Sequence, residues 1–250
     1  VTAAELRDLH VPGKPLVLPN AWDADSARLL VEAGFPVVAT SSAAVAAVLG
    51  HDDGEQAPVD EMFAAAARIA RVVDVPVTVD AEAGYGLAPA ELVARLGEAS
   101  AVGCNLEDSD LRAGGLRGAT EQADFLAAVR QAAGDALVIN ARIDCFLDTR
   151  GGAEEAAVLP DAIERARRYL DAGVDCVYPI HVTSEPVLRS FTEAIAPAAV
   201  NATYLPSGPA LAGLASCGVS RISLGAGLWR AGRAWLIGTL RELAAGTAPY

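Results

Sequence analysis

The stretch Asp171-Ala172-Gly173-Val174-Asp175-Cys176-Val177-Tyr178-Pro179 carries the pattern on which the reading of the fold turns. A segment of helical period from Glu154 to Ala172 is closed by a glycine, and an apolar, β-branched run follows almost at once. The same punctuation appears at Glu32-Ala33-Gly34 and at Ser216-Cys217-Gly218. Working outward, strands are predicted at Leu16–Pro19, Val37–Thr40, Val77–Asp80, Gly103–Glu107, Leu137–Arg142, Cys176–Pro179, Ala199–Ala202 and Arg221–Leu224. Helical segments lie between them, at Ala24–Ala33, Asp60–Val73, Pro89–Ala101, Thr120–Ala133, Glu154–Ala172, Glu185–Ile195 and Pro209–Ser216, with a last one from about Leu228 to Ala245. Helix–glycine–strand repetition implies parallel strands with helical crossovers. Eight such units in 250 residues predict an α/β (β/α)8 barrel of the TIM type. The rival, a doubly wound sheet, is disfavoured by the even strand count and by the lack of Gly-x-Gly-x-x-Gly after the first strand. One domain spanning 1–250 is the simplest organisation, with no linker, repeat or charge block to divide it.

Composition narrows the function. The net charge of −13 argues against nucleic acid or an anionic membrane as partner, and no apolar run reaches the ~18 residues of a membrane span. No signal-peptide pattern is read at Val1, so a cytoplasmic location is expected; the absence of an initiator methionine indicates that the numbering omits residues. Cys104, Cys145, Cys176 and Cys217 form no Cys-x-x-Cys pair, and His10, His51 and His181 have no metal-ligand spacing. A zinc site is not expected, and His10 and His51 read as surface residues. Of the 19 basic residues only Lys14 is a lysine, and it precedes the first strand. Schiff-base chemistry needs a lysine amine in the site, so that mechanism is not expected.

Barrel enzymes gather their chemistry at the carboxyl ends of the strands. Those ends carry Asn20 with Asp23, Ser41 and Ser42, Asp80 and Glu82, Glu107 with Asp108, Asn140 with Arg142, Tyr178 with His181, and Asn201. Asp80 and Glu82, two apart, are expected to share one strand face and to need a cation, a shared proton or solvent between them. Carboxylates from neighbouring strands suit a hard cation such as Mg²⁺, with Arg142 opposing them and free to pair with a substrate carboxylate. The plainer reading gives Arg142 to Glu107 as an ion pair, Asp108 to a loop cap and the serines to a turn.

These residues resemble the isocitrate lyase/phosphoenolpyruvate mutase superfamily over nearly the whole chain. The matching pieces are Pro19-Asn20-Ala21-Trp22-Asp23, Thr40-Ser41-Ser42-Ala43, Leu49-Gly50-His51-Asp52-Asp53-Gly54, Val79-Asp80-Ala81-Glu82-Ala83-Gly84-Tyr85-Gly86, Asn105-Leu106-Glu107-Asp108 and Asn140-Ala141-Arg142. The resemblance implies a Mg²⁺-dependent barrel (Mn²⁺ as the alternative) acting on 2-oxo acids or related carboxylates. It implies Asp80, Glu82 and Glu107 as metal ligands, directly or through water, and Asp53 beside substrate and metal waters. It also implies Ser41, Ser42, Ala43 and Arg142 around the substrate carboxylate, and a homo-oligomer, dimer or tetramer, exchanging the C-terminal helix.

Two departures stand out. Glu82 replaces the family's usual aspartate. The loop Asp108-Ser109-Asp110-Leu111-Arg112-Ala113-Gly114-Gly115-Leu116-Arg117-Gly118 lacks the Lys-(Lys/Arg)-Cys-Gly-His gate of the family's lyases, and the mutases' gate is absent too. That argues against isocitrate or methylisocitrate cleavage. Chemistry through a metal-stabilised enolate survives: decarboxylation or retro-aldol cleavage of a small 2-oxo dicarboxylate, with Tyr178, His181, Tyr204 or water as proton donor, Asn201 at the substrate, and Arg112 or Arg117 able to reach a second carboxylate. Phosphonopyruvate-type P–C chemistry, a non-catalytic 2-oxo acid binder, and a phosphate cradle at Pro206-Ser207-Gly208 and Gly225-Ala226-Gly227 are the alternatives.

Overall fold

A computed structural model describes residues 1–248. Its elements run α1 (Ala3–Asp8), β1 (Leu16–Leu18), β2 (Asn20–Ala21), α2 (Ala24–Glu32), β3 (Val38–Thr40), α3 (Ser42–Leu49), α4 (Val59–Ala70), β4 (Val77–Asp80) and α5 (Pro89–Glu98). They continue with β5 (Gly103–Glu107), α6 (Ala119–Ala133), β6 (Val138–Ile143), a 3₁₀ turn (Asp144–Phe146), α7 (Gly152–Asp171), β7 (Cys176–Pro179) and α8 (Glu185–Ile195). The chain finishes through β8 (Ala199–Thr203), α9 (Leu211–Ser216), β9 (Arg221–Ser223) and α10 (Gly227–Ala244). All pairings are parallel, in the order β1-β9-β8-β7-β6-β5-β4-β3-β2.

The first predicted strand is two. Pro19 separates β1, which pairs with β9, from β2, which pairs with β3. Proline has no backbone N–H to give to a ladder, and its break lets one stave hand over from one neighbour to the other. The two halves together close a barrel of eight staves, the (β/α)8 architecture.

Glycine closes helices where expected. Gly173 and Gly218 sit at φ +91° and +85°, and after α7 the N–H of Val174 reaches back to the carbonyl of Tyr169 at 3.3 Å while that of Gly173 bonds Leu170 at 2.9 Å. Leaving the helix through this left-handed residue aims the chain into β7. The outer strand faces are covered by apolar helix faces, Leu92 and Leu96 of α5, Leu126 and Val129 of α6, Ala162 and Ala166 of α7, Leu188 and Phe191 of α8, all buried. Each fully buried leucine or phenylalanine contributes roughly 1.5–3 kcal/mol.

Two helices were not expected. α1 opens on a capping box between Thr2 and Glu5, and α3 occupies the apolar run after β3. α10 is unlike the others: none of its residues is buried, and Trp235, Leu240 and Leu243 are 70%, 52% and 53% exposed. Among the described residues no helix is long and apolar enough to cross a membrane.

The barrel interior is layered, with an aliphatic cluster of Leu6, Leu16, Leu18, Val37 and Val138 at the α1 end and a polar layer toward the other. Asn105, Asn140, Asn201 and Arg221 all lie within the polar layer, and the last three are essentially inaccessible. His10, read as a surface residue, is tucked against the α1 end of the barrel; its Nδ1 lies 2.8 Å from the carbonyl of Leu6, and burial, with Arg221 nearby, lowers its pKa to about 4.

Candidate active site

β4 delivers Asp80 to the carboxyl end of the barrel, where its backbone N–H donates to Thr40 Oγ1 at 2.9 Å and its Oδ2 accepts from the N–H of Ser42 at 3.1 Å. Ser42 is the first residue of α3, so the carboxylate rests on the positive end of that helix. Its other oxygen, Oδ1, is buried and has no partner.

Glu82 is not beside Asp80 on the strand. β4 stops at Asp80, and Glu82 lies beyond it in a turn at φ +49°, a strained conformation for a residue with a Cβ. There it accepts the N–H of Glu55 at 2.6 Å, while Glu55 accepts that of Tyr85 at 2.5 Å. Burial first, and the charge of Asp80 second, push the Glu82 carboxyl up to about 7.

Glu107 and Arg142 face each other across the β5–β6 pairing, Oε2 to Nη1 at 2.6 Å. Asp144 takes two more of its N–H groups, at 2.6 Å from Nε and 2.8 Å from Nη2, which leaves one N–H on each Nη for a ligand. Asp144 is held in turn by the hydroxyl of Ser109 and, through its N–H, by Asp108 at 2.8 Å. Asp108, wholly buried, also accepts from Tyr169 at 2.7 Å and Arg165 at 3.0 Å. It fastens the loop to α7 and meets no cavity. Burial pushes Glu107 well above the usual carboxylate range, with the neighbouring Arg142 pulling the other way.

A cavity of about 610 Å³ opens at this face. Of the residues singled out from sequence, it brings together Asn20, Ser41, Ser42, Ala43, Asp53, Asp80, Arg142, Tyr178, His181 and Tyr204, and Pro206, Gly225, Ala226 and Gly227 of the two cradle segments also line it. Glu82 and Glu107 lie behind its wall, and Asn201 lies beneath its floor. β8 extends to Thr203 rather than ending at Ala202, so Thr203 takes the strand-end position expected of Asn201. Thr203 Oγ1 is 2.7 Å from the Tyr178 hydroxyl and accepts the N–H of His181 at 3.2 Å. Burial raises Tyr178 to about 12 and lowers His181, so both are neutral near pH 7. His181 is left-handed at φ +64°, a strained backbone of the kind found at functional sites.

The loop after Glu107 folds back on itself through a Ser109–Leu116 bridge. Arg117 donates to the carbonyl of Ala83 at 3.1 Å and to Gln122, and Arg112 lies over Gly86. Neither arginine lines the large cavity, so neither is placed to take a second carboxylate.

Asp80, Glu82 and Glu107 do not form a bare ligand trio; among the described residues no three His, Cys, Asp or Glu side chains are gathered as a metal cluster. Glu82 is engaged by a backbone N–H and Glu107 by Arg142. The donor set nevertheless fits a hydrated hard cation: carboxylate oxygens, two of the groups with raised pKa values, and a buried Asp80 oxygen with no hydrogen bond. Sequence reasoning missed Asp144, although it lies two residues after Arg142, and it missed the cavity floor of Asn105 and Ser223.

Comparison with known proteins finds relatives of the same fold. The family profile described as phosphoenolpyruvate phosphomutase matches residues 6–244. A Burkholderia cenocepacia crystal structure assigned as a phosphonomutase is 41% identical, covers 96% of this chain and 99% of its own, and superposes with a TM-score of 0.90. The 2-methylisocitrate lyase of Bacillus subtilis (strain 168) is 32% identical over 202 residues, 77% of this chain and 64% of its own length. An oxaloacetate decarboxylase of Rhodopseudomonas palustris (strain BisB5) is 34% identical over 208 residues, 79% of this chain and 68% of its own. The chain belongs to the isocitrate lyase/phosphoenolpyruvate mutase superfamily. It is an enzyme of that group, among relatives named as lyases.

Proposed function

We propose that the chain is a Mg²⁺-dependent carbon–carbon lyase acting on a small 2-oxo dicarboxylate, with decarboxylation the favoured reaction and Mn²⁺ the alternative metal. The observation that carries this reading is the opposition, across one cavity, of Arg142 and an Asp80 carboxylate with an unsatisfied oxygen. Asp80, with Glu82 and Glu107 behind it and Asp53 beside it, would hold the ion, largely through water. When bound, the ion supplies Lewis-acid stabilisation of negative charge developing on the 2-oxo group.

The protein's own part is binding, orientation and proton delivery. Arg142 and the N-terminus of α3 bind the substrate carboxylate, through the Ala43 N–H and the Ser41 and Ser42 hydroxyls, since the N–H groups of Ser41 and Ser42 are given to Ala21 and Asp80. Tyr178 and His181, both neutral, are the candidates for returning a proton to carbon. Decarboxylation needs no base to begin, which suits a chain without the gate cysteine. The similarity to an oxaloacetate decarboxylase supports the same choice.

The test is turnover of oxaloacetate and of 2-oxo-4-hydroxy acids with Mg²⁺, in native protein and in Glu107→Gln. Loss of turnover in the variant and on chelation is expected. Unchanged turnover in Glu107→Gln would sink the metal assignment. A second reading, a 2-oxo acid binder without turnover, is favoured by the gate loop, whose arginines do not line the cavity. Tight binding with no product across the panel would select it.

We further propose that the barrel, with α10 exchanged between copies, assembles as a homo-oligomer in the cytoplasm. A helix with no buried residue and an exposed Trp235 supports this. Light scattering should give a dimer or tetramer, and Trp235→Asp with Leu240→Asp should shift it toward monomer; a monomeric native chain would end the idea.

A further inference from the structure

Arg221 opens β9 inside the barrel, directly beneath the cavity, and is essentially inaccessible. Among the described residues it makes no ion pair, its Nη1 has no partner, and its contacts are with neutral groups. Nη2 donates to Asn105 Oδ1 at 3.3 Å and Nε donates to Ser223 Oγ at 3.4 Å. A guanidinium buried without a carboxylate is costly, and packing alone would be better served by an aliphatic side chain.

What the arginine does to its two partners is specific. The oxygen of Asn105 also accepts from Asn140 Nδ2 at 2.8 Å, so both of its acceptor positions are filled from below. Its amide nitrogen must then point the other way, and Asn105 lines the cavity. The oxygen of Ser223 likewise accepts from Asn201 Nδ2 at 3.1 Å as well as from Arg221. With both lone pairs used, its one hydroxyl proton is directed away from them, and Ser223 also lines the cavity.

We propose that Arg221 is a positioning residue that turns the cavity floor into a donor surface, presenting the Asn105 amide and the Ser223 hydroxyl to an oxygen of the bound acid. This rests on the proposed function, because it takes the cavity to be the binding site of a small oxo acid. The class of ligand selected is one with an oxygen-rich, planar, anionic end, such as a carboxylate next to a 2-oxo group or its enolate. Arg221 never meets the ligand; it acts through orientation, and its buried positive charge adds to the attraction.

The experiment is calorimetric titration of oxalate, in Mg²⁺ buffer, into native protein, Ser223→Ala, Arg221→Met and the double variant, with Tm recorded for each. Ser223→Ala should keep the native Tm and weaken oxalate binding about three- to tenfold, the loss of one hydrogen bond. Arg221→Met should weaken it further, and Ser223→Ala should then add nothing in that background. Multiplying losses in the double variant would overturn the inference. If Arg221→Met does not fold, Ser223→Ala still decides: native affinity in that variant overturns it. Native protein that binds no oxalate overturns the proposed function and this inference with it, whereas tight native binding that Ser223→Ala leaves intact overturns this inference alone.

Discussion

Asp144 grips Arg142 from two residues further along the chain, its carboxylate taking the Nε and Nη2 protons at 2.6 and 2.8 Å while Glu107 takes Nη1 from the other side. The arginine is thereby held with its plane fixed before any ligand arrives. Asp144→Asn keeps the shape but weakens the grip, and misplacement of a binding group costs up to about a hundredfold in rate. A fall in kcat/KM of about ten- to a hundredfold is expected, with Tm little changed, as checked by steady-state assay and thermal melting.

Asp108 anchors Asp144 from behind, and it does so while neutralising Arg165, which is itself largely buried. Without it, Arg165 keeps Asp161 at 3.0 Å from its Nε, but its buried Nη1 and the Tyr169 hydroxyl lose this acceptor, and breaking a buried pair costs up to about 3–5 kcal/mol. Asp108→Ala should therefore destabilise far more than Asp144→Asn, a contrast that urea unfolding of the two variants measures directly.

Glu82 makes stability depend on pH in an unusual direction. Its carboxyl is raised to about 7 from 4.5, chiefly by burial, so between those values the folded chain retains a proton that the unfolded chain has lost. Stability from this group is then highest in acid and falls as pH rises through that window. Glu82→Gln should raise Tm by a few degrees at about pH 8 and leave it unchanged at about pH 4. Mg²⁺ should stabilise the native chain more at the higher pH, and the same melts read out both effects.

Gly103 begins β5 where a Cβ would come within 2.8 Å of Leu6 Cδ2 and 2.9 Å of Thr78 Oγ1. Both neighbours are buried. Overpacking of this kind costs about 1–3 kcal/mol, so Gly103→Ala should lower the urea midpoint without changing the ligand affinity of the distant cavity.

Much of the architecture is legible from local signals because those signals are local in cause. Glycine after a helix, proline in a first turn and β-branched runs each act within a few residues, and Gly173, Pro89 and β7 fall where they point. α1 has a local signal of the same kind, since Thr2 and Glu5 form a capping box. α3 was hidden by its own composition: Ser42–Leu49 is nearly all alanine and valine, with no polar face to mark a helical period. The site divides in the same way. Its strand-end residues follow from counting along β4, β6 and β7, whereas Glu82 behind the wall depends on a left-handed turn that no two-residue period describes. Arg221 and the Asp108–Arg165–Tyr169 cluster arise between segments far apart in the chain, and nothing near Arg221 in sequence says that it points inward.

The divided first stave also sets an order of events during synthesis. β1 lies against β9, so Leu16, Val17 and Leu18 find their partners only in Arg221, Ile222 and Ser223. Until those residues have left the ribosome, β2 can join β3 but β1 has an open edge and the ring stays incomplete. Exposed edges recruit other strands, and contacts this distant in sequence form slowly. A nascent chain stalled before Arg221 should thus be the species most in need of a chaperone.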